Sequence, residues 1–165
     1  MNALSRRDFV TGSTALGLVL AARAGFAASR DLSAVYREVE GRHDEAVQRL
    51  QDWIRTPTIA AEGRNVEEGC AHMMRLLSDA GFGEVTRMPT DGVPGVLATL
   101  DAGAKRTLGV YFMYDVKQAN PDEWSSPPWE ARFVDMPDLG RVIMGRGATN
   151  QKGPQSAFLA ALHAD

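Results

Sequence analysis

The chain is short of the groups that staple small secreted proteins and build metal centres. Its 165 residues include one cysteine, Cys70, and three histidines. A single thiol excludes an internal disulfide and a zinc site built on thiolates. Cys70 itself reads as a small buried apolar residue on a helix face. Basic residues are also in deficit, 18 Lys and Arg against 21 Asp and Glu, for a net charge of −3. That balance excludes the basic surface of a nucleic-acid-binding protein. The apolar run from Val10 to Ala22 falls short of the ~20 residues a spanning helix needs, so no stable membrane span is expected. What is left, 44% hydrophobic and 24% charged, is the make-up of an ordinary globular chain. Its length suits about one domain.

The first residues read as an address, not as fold. Arg6 and Arg7 stand together in SRRDFV, ahead of the weakly apolar VTGSTALGLVLAA and the small residues of GFAAS. This is the layout of a twin-arginine export signal, with cleavage expected after Ala27. Residues 1–27 are then the signal and 28–165 the mature part, bound for the periplasm or secretion.

Beyond the signal, apolar residues at Leu32, Val35, Tyr36, Val39, Ala46, Val47, Leu50, Trp53 and Ile54 keep helical spacing from Asp31 to Arg55, with Gly41 a possible interruption. Pro57 ends that helix by disfavouring helical geometry at Thr56. Asn65 with Glu68 three residues on predicts the start of a second helix. Its buried face is Cys70, Met73, Met74, Leu77 and Ala80, and Gly81 closes it. Glu84–Pro89 and Gly95–Leu100 read as strands. Arg106–Tyr114, nearly all apolar, reads as a strand buried on both faces. A Pro- and Ser-rich loop follows, Asp115–Glu130, whose Trp124 and Trp129 pack it onto the sheet or wall a pocket. RFVD and RVIMG predict a hairpin across Met136–Gly140. GRGATNQKG then leads into a last helix, with Pro154 tolerable in its first turn. The chain stops inside that helix without a stop signal, so it reads as the N-terminal part of a longer protein.

The residues suggest one focus of chemistry. Asp115 lies at a predicted strand end, where open α/β sheets form crevices; it is either a loop cap or a functional carboxylate. Asn150 either holds a turn or keeps a polar role in a pocket. Lys152 either pairs with a substrate carboxylate or starts a solvated helix. Met113 follows Phe112 and reads as core. His43, His72 and His163 lie on helices away from these positions and read as surface or satisfied structure.

LQDWIRTPT, NVEEGCAHMMRLLSDAGFGEV, YDV, DEWSSPPWEA and GRGATNQKG follow one another in this order. The ordered set resembles the start of the co-catalytic zinc metallopeptidase family of acetylornithine deacetylase, succinyl-diaminopimelate desuccinylase, aminoacylase and the carnosinase-type dipeptidases. The resemblance implies an α/β fold, a mixed sheet flanked by helices. It also implies hydrolysis of amide bonds in peptides or N-acyl amino acids, a zinc pair, and a homodimer formed through a further domain. The family's first motif is His-x-Asp, a zinc ligand and the aspartate that orients it; these fall on Met113 and Asp115. Its second motif matches Gly145, Arg146, Gly147, Lys152 and Gly153, and places the zinc-bridging aspartate on Asn150.

The departures are chemically specific. A thioether such as Met113 suits Cu(I) far better than Zn(II). Asn150 keeps one oxygen of an aspartate but no charge, which makes a poor bridge between two cations. Asp115 has lost the imidazole it would orient. The expectation is therefore an exported hydrolase with a modified metal site, holding one metal, a different metal or none. The alternative is a non-catalytic periplasmic relative that binds a peptide or amino acid. The family's Glu-Glu pair and remaining ligands are expected after Asp165, so residues 1–165 alone are expected to be inactive.

Overall fold

The structure is a computed structural model and describes residues 31–163. The predicted signal at 1–27 lies outside them. The chain divides by its contacts into two units, Met1–Ala34 and Val35–Asp165. Its helices are α1 (Ser33–Gly41, which begins in the first unit), α2 (His43–Arg55), α3 (Val66–Asp79) and α4 (Lys152–His163); its strands are β1 (Glu84–Met88), β2 (Gly95–Thr99), β3 (Arg132–Met136) and β4 (Gly140–Met144). The helical periodicity over 31–55 thus yields two helices broken at Gly41–Arg42, as the glycine suggested. The apolar side of α1 is not a core face: Val35, Tyr36 and Val39 stand exposed.

The core is built where α2, α3 and α4 meet the β1–β2 pair. Trp53, Met73, Leu76, Ala80 and Leu159 are buried together, with Leu77, Phe82, Val96, Phe112, Tyr114 and Leu162 packed against them. On α3 the buried stripe is Gly69, Cys70, Met73 and Leu76; Leu76 takes the place expected of Leu77. Gly81, at φ +88, ends the helix as expected. Asn65 precedes α3 but does not cap it with its side chain. It sits in the left-handed region, and its Nδ2 donates instead to the Pro57 carbonyl.

Three helices come first, then the four strands, then the last helix, and the strands form two antiparallel pairs, β1–β2 and β3–β4. The hairpin registers run from Glu84 opposite Thr99 to Met88 opposite Gly95, and from Arg132 opposite Met144 to Met136 opposite Gly140. The predicted strand at Arg106–Tyr114 is not laddered to either pair. An apolar run fit for burial on both faces needs neighbours on both faces and both edges. Here Phe112 and Tyr114 reach the core while Leu108 and Tyr111 are 81% and 83% exposed. Met113, read as core, is likewise exposed.

His43 is exposed, but the Nε2 atoms of His72 and His163 are enclosed and have no hydrogen-bond partner among the described residues. His72 lies beside Trp53, ring centroids 5.9 Å apart. Burial, then Arg75 and Lys152, pulls its imidazole down to about 4. The folded state therefore resists a proton that the unfolded chain accepts first as pH falls. Unfolding by urea should show this contribution in full above pH 6.5 and its progressive loss from there to about 4. His72→Phe should lack that component; equal pH slopes for the two proteins would refute it.

Packing makes a second expectation. A Cβ on Gly69 would overlap the Thr58 side chain, which is itself fully buried. Gly69→Ala should lower stability by about 1–3 kcal/mol, the usual cost of overfilling a packed contact. An unchanged denaturation midpoint would show that Thr58 yields freely.

Candidate functional site

The site starts at the end of α2. Pro57 stops the helix, and the backbone leaves it at Thr56 with φ −102 and ψ 83. Over Trp53 to Thr58 four carbonyls then accept bonds from distant parts of the chain. Trp53 and Thr56 take the Lys152 ammonium at 2.7 and 2.9 Å. Pro57 takes the Asn65 amide at 3.1 Å, and Thr58 takes the Val116 N–H at 2.9 Å. Helix ends leave carbonyls without partners, and here those carbonyls gather both motif segments.

The glycines of GRGATNQKG are there for close approach. Gly145 is buried, and a Cβ on it would lie 2.7 Å from Ile54 Cγ2. Gly147 has φ +94, and a Cβ there would lie 2.9 Å from Val116 Cγ1. At Gly153 a Cβ would overlap the Ala148 carbonyl. The loop closes on itself through Ala148 N–H to Gly145 and Gly153 N–H to Gly147, both at 3.1 Å, and docks through Arg146 N–H to Pro128 at 2.8 Å. The Arg146 guanidinium stacks 5.0 Å from the Trp124 ring, and Arg64 lies 5.6 Å from that of Trp129. The two tryptophans thus serve as platforms for arginines from other segments.

Lys152 is not at a solvated helix start. Its side chain is fully enclosed, 0% exposed, because the loop carries it inward beneath Gly147 and Val116. Burial pushes its ammonium down to about 8, partly offset by the Asp115 carboxylate nearby. Two of its three N–H donors are taken by carbonyls. Tyr114, beside Asp115, donates to the Pro94 carbonyl, and burial first of all holds its hydroxyl up at about 12.

Met113 and Asn150 come together through a residue that the sequence reading passed over. The Gln151 backbone N–H donates to Asn150 Oδ1 at 2.9 Å, and its Nε2 reaches Met113 Sδ at 3.7 Å. Gln151 has φ +66, an uncommon conformation for a non-glycine residue, and no residue-type pattern marks it in the sequence. Asp115 is half-buried on the same stretch as Met113.

These donors do not fit the zinc pair that the resemblance implies. Among the described residues, no three His, Cys, Asp or Glu side chains lie together as a metal site. The two atoms at the family's ligand positions are a thioether sulfur and a neutral amide oxygen, and both are engaged by Gln151. An open concavity of about 740 Å³ lies between α2 and the β3–β4 hairpin. It touches the loop only at Ala148 and Thr149, away from Met113, Asp115, Asn150 and Lys152.

No family model matches the chain. Succinyl-diaminopimelate desuccinylase of Cereibacter sphaeroides is 34% identical over 113 residues, 67% of this chain and 27% of that protein. Among solved structures, the M20 family metallo-carboxypeptidase Sso-CP2 from Sulfolobus solfataricus superposes with a TM-score of 0.63 at 30% identity, over 72% of this chain and 26% of that one. The di-peptidase Dug1p from Saccharomyces cerevisiae shares the fold, with a TM-score of 0.69 at 24% identity over 82% of this chain and 31% of its own. The chain thus spans about a quarter of the length of the curated relatives it matches. By sequence and by fold it is a homologue of the M20 metallopeptidases and the succinyl-diaminopimelate desuccinylases.

Proposed function

We propose that this chain is part of an exported hydrolase of amide bonds in peptides or N-acyl amino acids, with a metal site altered from that of its relatives. The observation that carries the reading is the likeness to desuccinylases and peptidases, joined to a motif loop whose glycines and lysine are all in use. Gly145, Gly147, Lys152 and Gly153 each make a close contact that another side chain would disturb. The scaffold is kept while the side chains at the two ligand positions change. The reaction class adds water across an amide carbon–nitrogen bond and releases a carboxylate and an amine.

Within the site, Asp115 is the one carboxylate at the end of the 106–114 segment, beside the enclosed Lys152. We assign it to orienting neighbouring groups, not to attack on substrate. Lys152 keeps one N–H for a further acceptor. Arg6 and Arg7 support export, and with it a place in the periplasm.

A second reading has its own observation. Gln151 satisfies both Met113 and Asn150, a self-contained arrangement that suits a relative binding a peptide or amino acid without cleaving it.

The deciding assay uses the natural full-length product with N-succinyl amino acids and dipeptides, with added Zn²⁺, Mn²⁺ or Co²⁺ and with chelator. Release of free amine is expected from one of the two substrate classes. Calorimetric binding of those compounds without any release would favour the second reading and sink the first. Zinc affinity, read by calorimetry, should rise at least tenfold, about 1.4 kcal/mol, in Met113→His with Asn150→Asp, which restores an imidazole and an anionic bridge. Unchanged affinity would show that these are not the ligand positions. Replacing Arg6 and Arg7 by lysine should leave the protein in the cytoplasmic fraction; normal export of that variant would remove the twin-arginine reading.

A further inference from the structure

We propose that Lys152 is a positioning residue: its ammonium, seated on the Trp53 and Thr56 carbonyls, sets where the Asn150–Gln151 turn lies against Met113 and Asp115. The proposal rests on the functional reading above only in taking that turn to belong to the site.

Three observations carry it. First, the lysine is fully enclosed, and its Nζ contacts belong to the end of α2, not to the loop that bears it. A buried ammonium is stable only when its donors are met, so the loop cannot shift without stranding either the cation or the carbonyls. Second, the lysine stem is clamped. A Cβ on Gly147 would lie 3.3 Å from both Lys152 Cγ and Cδ and 2.9 Å from Val116 Cγ1. Val116 is in turn tied to the same α2 exit through Thr58. Both motif segments are therefore fixed to one short piece of backbone, Trp53 to Thr58. Third, Lys152 directly follows Gln151, whose two hydrogen bonds define the arrangement of Asn150 and Met113. Moving the lysine moves Gln151.

The arrangement also gives α2 what its C-terminus requires. A cation at a helix C-terminus bonds carbonyls that have no partner within the helix and opposes the negative end of the helix dipole. Arg55, in the same last turn, instead spends its guanidinium on the exposed Asp52 carboxylate and the Glu130 carbonyl. Lys152 adds, from another part of the chain, to the local cap in which the Thr56 N–H bonds the Trp53 carbonyl.

The test compares Lys152→Leu, which keeps apolar bulk but no donor, with Leu77→Ala, which opens a cavity on α3 at the edge of the core. In the natural full-length protein, methionine-methyl and side-chain amide NMR signals report Met113 and Gln151 directly. Lys152→Leu should displace both signals and lower protection from amide exchange at Val116, Ala148 and Gly153. Leu77→Ala, though destabilised, should leave Met113 and Gln151 in place. If the two signals stay put in Lys152→Leu, or move equally in both variants, the lysine supports the fold and does not position the turn. Where the wild type cleaves an amide substrate, Lys152→Leu should lower kcat by about tenfold to a hundredfold, the scale set by small misplacements, with KM little changed. A wild type that cleaves nothing defeats the hydrolase reading alone, because the NMR comparison still decides the role of Lys152.

Discussion

Everything in the candidate site hangs on one buried cation. Lys152 is enclosed on all sides, and its ammonium faces two backbone carbonyls at the end of α2. Taking such a charge out of water costs several kcal/mol. Hydrogen bonds from a charged donor offset that cost, at about 1.5–3 kcal/mol each. The penalty is what makes the contact decisive, because a partial fit would leave a stranded charge. The glycines on either side follow from the same requirement. Gly147 and Gly153 let the loop fold tightly enough, with a positive φ at the first and direct backbone contact at the second, for a side chain at 152 to turn inward. The GRG…KG pattern is here the imprint of a lysine being packed.

That packing explains how a segment near 55 comes to organise segments near 115 and 150. The carbonyls of Trp53, Thr56, Pro57 and Thr58 are shared among Lys152, Asn65 and Val116. Pro57 is the origin of this, since it forces the chain out of the helix and leaves those carbonyls free for distant donors. The exit is rigid for a further reason: Thr58 is pressed against Gly69 of α3, where no larger residue fits. Met113, Asn150 and Gln151 then occupy the place where relatives are expected to hold metal, joined by hydrogen bonds within the protein. Zinc chemistry would need charge at the two ligand positions, and the side chains of Met113 and Asn150 are neutral.

Much of this was legible in the sequence where local rules decide. Helical spacing located α2 and α3, Gly81 ended α3, and the turn at 136–140 announced the β3–β4 hairpin. Each of these depends on contacts a few residues apart. The failures have a common cause in long-range partners. The Arg106–Tyr114 run advertised burial, but an apolar run states only what a strand needs, not whether its neighbours are present. Asn65 sat where a cap belongs yet gave its amide to Pro57, a preference no local pattern encodes. Lys152 was the sharpest case. A lysine at a helix start reads as solvated, and only two carbonyls nearly a hundred positions earlier reverse that. Gln151 carried no signal, because its importance comes from a left-handed backbone that brings its two amides to Met113 and Asn150. The family resemblance pointed to Met113, Asp115 and Asn150, and the structure shows Met113 and Asn150 bonded to Gln151.

The most direct measurement is of the Lys152 ammonium itself, by proton–nitrogen spectroscopy of lysine side chains at mildly acidic pH. The account predicts a slowly exchanging ammonium signal for Lys152, held by its two carbonyls, while exposed lysines such as Lys117 lose theirs to water. A Lys152 signal that exchanges as fast as that of Lys117 would contradict the account, because the cation would then be in solvent and the two motif segments would have no common anchor.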